Sequence, residues 1–203
     1  MFEAIRTDVM RAVRLTLVFA VMTGAVYTLG MTGLGQLLFH SQTNGSLITK
    51  GGTVVGSQLI GQQFSSSRYF WGRPSATTNA STGKPQPYAA DNSGGSNLAP
   101  SNPALINRVK ASVKALQAAN PAEKGKKVPV DLVTTDFSGL DPNISEAGAL
   151  YQVQRVAAAR GLSASRVRAL VEANVQGRIL WIFGEPHVDV LQLNLALDGG
   201  AAG

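Results

Sequence analysis

The sequence predicts an α+β (mixed α/β) domain that is anchored in a membrane by one N-terminal helix. Two observations carry this prediction. Residues 15–39 contain no charged side chain, and beyond them apolar residues at helical spacing alternate along the chain with short β-rich runs. The part of the chain after the apolar run, about 160 residues, is long enough to bury a core of its own as one domain.

The uncharged run is long enough to cross a bilayer. An α-helix needs about 20 apolar residues to cross a hydrocarbon core that is about 30 Å thick. A cleaved signal peptide, the alternative interpretation, has an apolar stretch of about 7–15 residues and a small-x-small cleavage site. The run here is longer and ends in Leu37, Leu38 and Phe39. We therefore predict a transmembrane helix over residues 15–36.

Basic residues lie on one side of this predicted helix. Arg6, Arg11 and Arg14 precede it, and the next Lys or Arg in the chain is Lys50. Positively charged segments beside a transmembrane helix usually stay in the cytoplasm. The sequence thus predicts a short cytoplasmic N-terminus, residues 1–14, and an extracytoplasmic domain, residues 40–203.

One face of the predicted transmembrane helix carries small side chains at intervals of four residues. This small-residue stripe consists of Thr16, Ala20, Gly24 and Thr28. Helices in lipid associate through close backbone approach, which small residues permit. We predict that the stripe contacts a partner helix, although Gly and Thr are also common in transmembrane helices that have no such role.

Capping residues and β-rich runs predict the elements of the domain. The helices lie over residues 103–119, 145–160 and 163–177, because Asn102, Ser145 and Ser163 are good N-caps and Gly161 is a good helix end. Strands are predicted over residues 47–50, 53–60, 128–134, 178–183 and 188–197. In the last of these, leucines at alternate positions predict one buried face: Leu191, Leu193, Leu195 and Leu197.

Residues 72–103 form a long polar loop in this prediction. Most of them are Gly, Pro, Ser, Thr or Asn, and the only large apolar side chains are Tyr88 and Leu98. Such a stretch buries little surface, and a loop of this length is usually functional or disordered. A solvated insertion and a segment that is ordered only by a partner are both consistent with the sequence.

An aromatic and basic patch lies at the start of this loop. It comprises Arg68, Tyr69, Trp71 and Arg73. Tyr and Trp beside Arg are typical of the residues that dominate protein–protein interfaces. We therefore predict that the patch contacts a partner; a local core beneath the loop is the alternative.

The sequence offers little material for a catalytic, metal or nucleic-acid site. The net charge of +6 is scattered, and the densest basic cluster, at residues 124–127, has no interleaved aromatic residue. There is no Cys, and neither the P-loop pattern GxxxxGK[ST] nor an aspartyl-phosphate run Asp-Lys-Thr-Gly occurs. His187 and Asp189 fall on one face of the last predicted strand, but no nucleophile is assigned to them. We expect no catalytic or metal site and no nucleic-acid partner.

Eight motifs along nearly the whole chain resemble the C subunit of the Kdp-type potassium-transporting P-type ATPase complex. They are NGSLI (44–48), LIGQ (59–62), YFWGRPSA (69–76), SGGSNL (93–98), PVDLVT (129–134), SGLDP (138–142), QVQRVA (152–157) and LNLAL (193–197). Their order and the single N-terminal apolar helix match the family as well. One departure is Asp189, which stands where the family usually has Asn.

The resemblance implies an accessory, non-catalytic subunit of a high-affinity, ATP-driven potassium uptake complex in the bacterial inner membrane. Its partners would be a channel-like potassium-binding subunit, an ATP-hydrolysing P-type subunit and a small single-span subunit. The family is described as a catalytic chaperone that raises the nucleotide affinity of the ATPase subunit, and by position Gln152 is the glutamine implicated. The chain would have no cofactor of its own, with ATP reaching it only through the ATPase subunit.

The predicted topology conflicts with a direct nucleotide contact, because an extracytoplasmic domain does not meet cytoplasmic ATP. We therefore favour a structural role, in which the helix and the domain hold the channel-like subunit and cover its potassium entrance. The alternative from another class is a membrane-anchored extracytoplasmic enzyme that uses the loop at residues 72–103 as a lid. That enzyme would need a convergent set of titratable groups.

Overall fold

The computed structural model describes residues 2–199, which form two compact units that divide after Ser46. The first unit is one continuous helix, Phe2–Leu38, followed by a single helical turn. Its parts are α1 (Phe2–Val21), a π-helical segment (Met22–Tyr27), α2 (Thr28–Leu38) and α3 (His40–Thr43).

The long helix is apolar and long enough to cross a membrane. None of its residues is buried by the rest of the protein. The predicted N-terminal apolar helix is therefore confirmed. The helix extends on the N-terminal side of residue 15 as far as Phe2, the first described residue. The described part of the predicted cytoplasmic N-terminus is therefore helical.

The second unit, which begins at Leu47, mixes helices with two small antiparallel sheets. The first sheet is the predicted hairpin, and the second has the strand order β3-β5-β4. The strands are β1 (Leu47–Lys50), β2 (Thr53–Ser57), β3 (Asn143–Ser145), β4 (Val175–Gln176) and β5 (His187–Asp189). The helices are α4 (Pro103–Ala119), α5 (Glu146–Arg160), α6 (Ala164–Ala173) and α7 (Val190–Gly199), with 3₁₀ turns at Pro121–Glu123 and Val130–Leu132. The predicted mixture of helices and strands is thus confirmed.

Helices α4, α5 and α6 begin where their caps predict. The side chains of Asn102, Ser145 and Ser163 accept hydrogen bonds from backbone N–H groups in the first turn of their helices. Helix α5 ends at Gly161, whose φ of 67° is left-handed, a conformation that glycine adopts at little cost. Local chemistry therefore determines these boundaries.

Two of the predicted strands are wrong. Within residues 128–134 the chain forms the 3₁₀ turn Val130–Leu132, because Pro129 has no N–H to donate and Val133 N bonds back to Val130 O instead. Residues 178–183 form a tight hairpin of their own. Its one bridge joins Ile179 to Phe183, and the segment pairs with neither sheet through a described bridge.

The last predicted strand is wrong over most of its length. Strand β5 stops at Asp189 and helix α7 follows at once. The Asp189 carboxylate accepts a hydrogen bond from Gln192 N at 2.8 Å, which is the contact of a helix N-cap. Val190, Leu193 and Leu197 are buried at spacings of three and four residues, whereas Leu195 is only half-buried. A short apolar run is compatible with both the strand period and the helix period, and here the Asp189 cap favours the helix.

Helix α5 lies at the centre of the second unit, residues 47–199 of the described chain, which we call the soluble unit. Eight of its residues are buried, and α6, the β3-β5-β4 sheet and both 3₁₀ turns pack against it. The largest fully buried apolar side chains come from several elements: Phe70, Ile144, Val153, Val156, Val167, Val171, Val188, Leu193 and Leu197. The core therefore also includes Phe70, which lies in a segment without regular structure.

Candidate functional site

The side chain of Gln152 is used entirely within the protein. Gln152 lies on α5 and has 0% of its surface exposed. Its Oε1 accepts hydrogen bonds from Trp71 N at 2.8 Å and from Arg155 Nη2 at 2.6 Å. Its Nε2 donates to Trp71 O and Gly148 O, both at 3.1 Å. The amide thus pairs with both the N–H and the C=O group of Trp71, as a residue of a neighbouring β-strand would.

Asn194 on α7 does the same for the preceding residue. Its Oδ1 accepts from Phe70 N at 2.8 Å, and its Nδ2 donates to Phe70 O at 3.1 Å. Asn194 is 2% exposed, so both hydrogen bonds lie in the interior. Two buried amides from two helices therefore hold two consecutive residues of an irregular segment, which satisfies backbone groups that would otherwise be buried without partners.

Arg155 also binds the backbone of this irregular segment. Its guanidinium donates to Ser67 O at 2.8 Å and to Tyr69 O at 3.0 Å, and it stacks 4.0 Å from the centre of the Trp71 ring. The same group reaches Asn120 Oδ1 at 3.2 Å. Burial lowers the pKa of Arg155 to about 10, because the charged form is less well solvated inside the protein. Arg155 remains a cation at neutral pH.

Arg160 and Asp198 close the outer end of this arrangement. Arg160 donates from Nε to Arg68 O at 2.6 Å and from Nη2 to Asp198 Oδ1 at 2.8 Å. Its guanidinium lies 4.8 Å from the centre of the Tyr69 ring, and the Tyr69 hydroxyl donates to Asp198 Oδ2 at 3.0 Å. Residues 67–71 are therefore clamped between α5 and α7, and we call this arrangement the clamp.

The clamp accounts for most of the predicted aromatic and basic patch. Arg68 is exposed, while Tyr69, Trp71 and Arg73 are half-buried. Trp71 Nε1 donates to Ser66 O at 2.9 Å, and Arg73 pairs with Asp141 at 3.0 Å. The local-core interpretation thus describes the contacts of these side chains inside the chain. A partner contact through their exposed parts stays a prediction.

The long loop at residues 72–103 is held by the chain itself. Ser75 Oγ donates to Gly139 O at 2.7 Å, Gly94 N donates to Ser138 O at 2.8 Å, and the Tyr88 hydroxyl donates to Arg73 O at 2.7 Å. Ser93 and Gly94 therefore bond to the turn at residues 136–141. A solvated insertion would lack such contacts.

Asp136 organises that turn. Its carboxylate accepts hydrogen bonds from the Ser138 hydroxyl and from the N–H groups of Ser138 and Gly139. Burial alone would raise the pKa of Asp136, but these hydrogen bonds outweigh it and hold the pKa below its usual value. The ionised carboxylate therefore stabilises the turn against which the loop packs.

The family model described as KdpC, the c chain of the K⁺-transporting ATPase, matches residues 9–199. The chain belongs to the KdpC family. The matched residues include the long apolar helix from Val9 onwards, the clamp and the loop.

Curated members of the KdpC family resemble the chain over nearly its whole length. A potassium-transporting ATPase KdpC subunit of Sorangium cellulosum is 56% identical over 188 residues, 93% of this chain and 95% of its own. Those of Paraburkholderia phymatum and Methylobacterium nodulans are each 54% identical, over 92% and 98% of this chain and 93% and 98% of their own. The protein is therefore a subunit of a potassium-transporting ATPase, and the resemblance expected from the eight motifs is confirmed.

His187 and Asp189, the pair considered for catalysis, have structural contacts in this KdpC-family chain. The His187 ring lies 2.9 Å from Glu185 O through Nδ1, and Asp189 caps α7. Burial raises the pKa of Asp189 above its usual value, although hydrogen bonds from Gln192 and Leu191 and the nearby His187 lower it in part. Within residues 2–199 no group of three or more His, Asp or Glu side chains is placed to hold a metal ion.

Asp189→Asn should test the capping role. Asn caps helices as well as Asp does, so we expect the free energy of unfolding at neutral pH to change by less than about 1 kcal/mol, towards greater stability. Because the folded-state pKa of Asp189 is raised, its ionised form is disfavoured in the fold, and the stability that it contributes falls as pH rises above about 3.8. The variant should lack that fall. Urea unfolding of the full chain at about pH 4 and about pH 7 measures the difference; a large loss of stability at both would contradict a simple cap.

Sequence reasoning missed the side chains that complete the clamp. Arg155, Arg160, Asn194 and Asp198 were not singled out, although Asn194 lies within the apolar run of the leucines and Asp198 directly follows it. A helical interpretation of that run would have placed Asn194 beside Val190 on the buried side, where an amide needs a backbone partner. The sequence pattern was present, but it was not recognised because the run was predicted as a strand instead of a helix.

The small-residue stripe of the long helix faces away from other described residues. Thr16, Ala20, Gly24 and Thr28 are all exposed, and a Cβ built on Gly24 would meet no atom within 4 Å. Four residues advance about 40° beyond a full turn in an α-helix, and fall short of a turn in a π-helix, whose bonds run from i to i+5. The π-helical segment Met22–Tyr27 therefore turns the stripe back and keeps it on one face.

Proposed function

We propose that the chain is an accessory, non-catalytic subunit that holds together an ATP-driven potassium uptake complex. Its partners are a channel-like potassium-binding subunit, an ATP-hydrolysing P-type subunit and a small single-span subunit. The observation that best supports this is the helix Phe2–Leu38, which is apolar and has no buried residue in the chain by itself. Its small-residue stripe is the surface by which it would pack against a partner helix in lipid.

We further propose that the soluble unit lies outside the cytoplasm, in a bacterial inner membrane, and covers the potassium entrance of the channel-like subunit. The charge asymmetry around the apolar run supports this orientation, since Arg6, Arg11 and Arg14 all precede it. The clamp supports a structural role for the unit. It makes residues 67–71, which contain most of the aromatic and basic patch, firmly positioned.

The geometry also bears on the nucleotide role that the resemblance implies for Gln152. All four of its hydrogen bonds are made within the chain, and none of its surface is exposed. A contact with ATP would have to break the two hydrogen bonds between Gln152 and the Trp71 backbone, and it would leave buried groups unpaired. We propose that any effect of this subunit on nucleotide affinity passes through its contacts with the other subunits, with Gln152 as a positioning residue.

Single-cysteine labelling tests the orientation. The chain has no Cys, so introduced thiols can be followed without background. Ser81 and Thr7 are both exposed, one in the soluble unit and one in the first turns of α1. In intact cells Ser81→Cys should react with a membrane-impermeant maleimide, and Thr7→Cys should react only after the cells are lysed. The reverse pattern would refute the entrance-covering role, because the soluble unit would then lie in the cytoplasm.

A further inference from the structure

The longest run of exposed large apolar residues in the described part of the soluble unit is the end of one hairpin. Five consecutive residues, which we call the apolar tip, are large, apolar and mostly exposed: Ile179, Leu180, Trp181, Ile182 and Phe183. Trp181 has 93% of its surface exposed. Isolated exposed apolar side chains are ordinary, but a contiguous apolar projection of this kind marks a binding surface.

The backbone of the tip is well defined. Ile179 N donates to Phe183 O at 2.8 Å, and Phe183 N donates to Ile179 O at 2.9 Å. Arg178 and Glu185 form a salt bridge of 2.7 Å at the base of the hairpin. The tip can thus enter an apolar medium without carrying an unpaired charge from its base, since the two flanking charges neutralise each other.

The two residues at the turn have an unusual conformation for their type. Leu180 and Trp181 have φ values of 51° and 65°, and Ile182 N bonds to Ile179 O at 3.2 Å. Such a turn with two left-handed residues favours Asn-Gly, because bulky side chains are strained there. Large apolar residues at positions where small ones fit better indicate that their side chains serve a function outside the chain.

We propose that the apolar tip inserts into the lipid leaflet on its own side of the membrane. Only residues 39–46 separate the apolar helix from the soluble unit, a reach of about 28 Å when fully extended. A unit of this size has a radius of gyration of about 15 Å, so a bilayer crossed by the helix is within reach of its surface. Trp with Ile, Leu and Phe is the composition of segments that enter the interfacial region.

Trp181 itself reports on this contact. The chain has two Trp residues, Trp71 and Trp181, and neither lies in the long helix. The full-length Trp71→Phe variant, reconstituted alone in phosphatidylcholine–phosphatidylglycerol vesicles, should lose Trp181 emission when the acyl chains carry bromine. The matching Trp181→Phe variant, which keeps the half-buried Trp71, should show no such loss. Subtracting its emission from that of the parent gives the same quantity in case Trp71→Phe impairs folding.

A matched pair of charge substitutions controls for indirect effects. Ile182→Asp should abolish most of the quenching, because an ionised carboxylate is unfavourable within the leaflet. Val130→Asp changes an apolar residue of similar exposure outside the tip, 70% against 72%, and should leave the quenching unchanged. Unchanged Trp181 emission in brominated vesicles would overturn the proposal. It would also fail if Trp181 became shielded from an aqueous quencher only in the assembled complex, because a protein surface would then be the occupant.

Discussion

Replacing Gln152 with alanine should lower the free energy of unfolding of the chain by about 3–5 kcal/mol. The substitution leaves buried polar groups of Trp71 and Arg155 without their partner, which costs about 1–3 kcal/mol for each group. It also creates a cavity, because the Gln152 side chain is fully buried. The measurement is urea unfolding of the full-length protein in detergent, followed by Trp fluorescence. Trp71 is itself part of the clamp and should report the loss directly.

Gln154 provides the control, since it is the same residue type on the same helix but is exposed. Gln154→Ala should change stability by less than about 0.5 kcal/mol. Measuring the ATP affinity of the assembled complex with both variants separates the two roles of Gln152. Reduced nucleotide affinity together with normal stability in Gln152→Ala would refute the positioning role and favour a direct nucleotide contact.

Replacing Gly24 with isoleucine should release most of the subunit from its complex while leaving insertion of the helix intact. A side chain at Gly24 meets nothing within the chain, so the fold itself accommodates it. Isoleucine is also more apolar than glycine, which favours insertion. If the small-residue stripe packs against a partner helix, however, the added bulk separates two backbones that must approach closely. The amount of the tagged subunit that co-purifies with its partners measures the effect.

Met22→Ile is the matched control for this substitution. Met22 lies in the same π-helical segment, is also exposed, and is not part of the stripe. The exchange conserves an apolar side chain of similar size, so co-purification should stay near that of the parent protein. Equal retention of Gly24→Ile and the parent would show that the stripe is not the contact and that the soluble unit holds the subunit in place.

The candidate site illustrates why sequence reasoning reached some residues and not others. Gln152 came from the family resemblance, and Trp71 from composition, but neither source indicated that the two residues bond to each other. Their backbone and side-chain groups meet across 81 positions of the chain. Contacts of this separation depend on how α5 and α7 pack, and no local pattern encodes the resulting pairing of a buried amide with one particular peptide group.

The strand errors have a related physical origin. Alternating leucines at residues 191–197 satisfy a strand period, yet three and four residue spacings within the same run satisfy a helix. The choice was made by the Asp189 cap and by burial of Val190, Leu193 and Leu197 in the core. Residues 178–183 are β-prone by composition, but the segment closes on itself through Ile179 and Phe183.

The sequence by itself determined the long apolar helix, the ends of α4 and α5 and the hairpin of β1 and β2, because each depends on hydropathy, capping or turn chemistry within a few neighbouring residues. Its motifs also determined the family. Only the tertiary structure decided that α7 is a helix, that the loop folds onto the turn at Asp136, and that residues 67–71 are clamped by Gln152 and Asn194. Each of these outcomes satisfies buried polar groups with partners from distant parts of the chain, and such partners exist only once the core has formed.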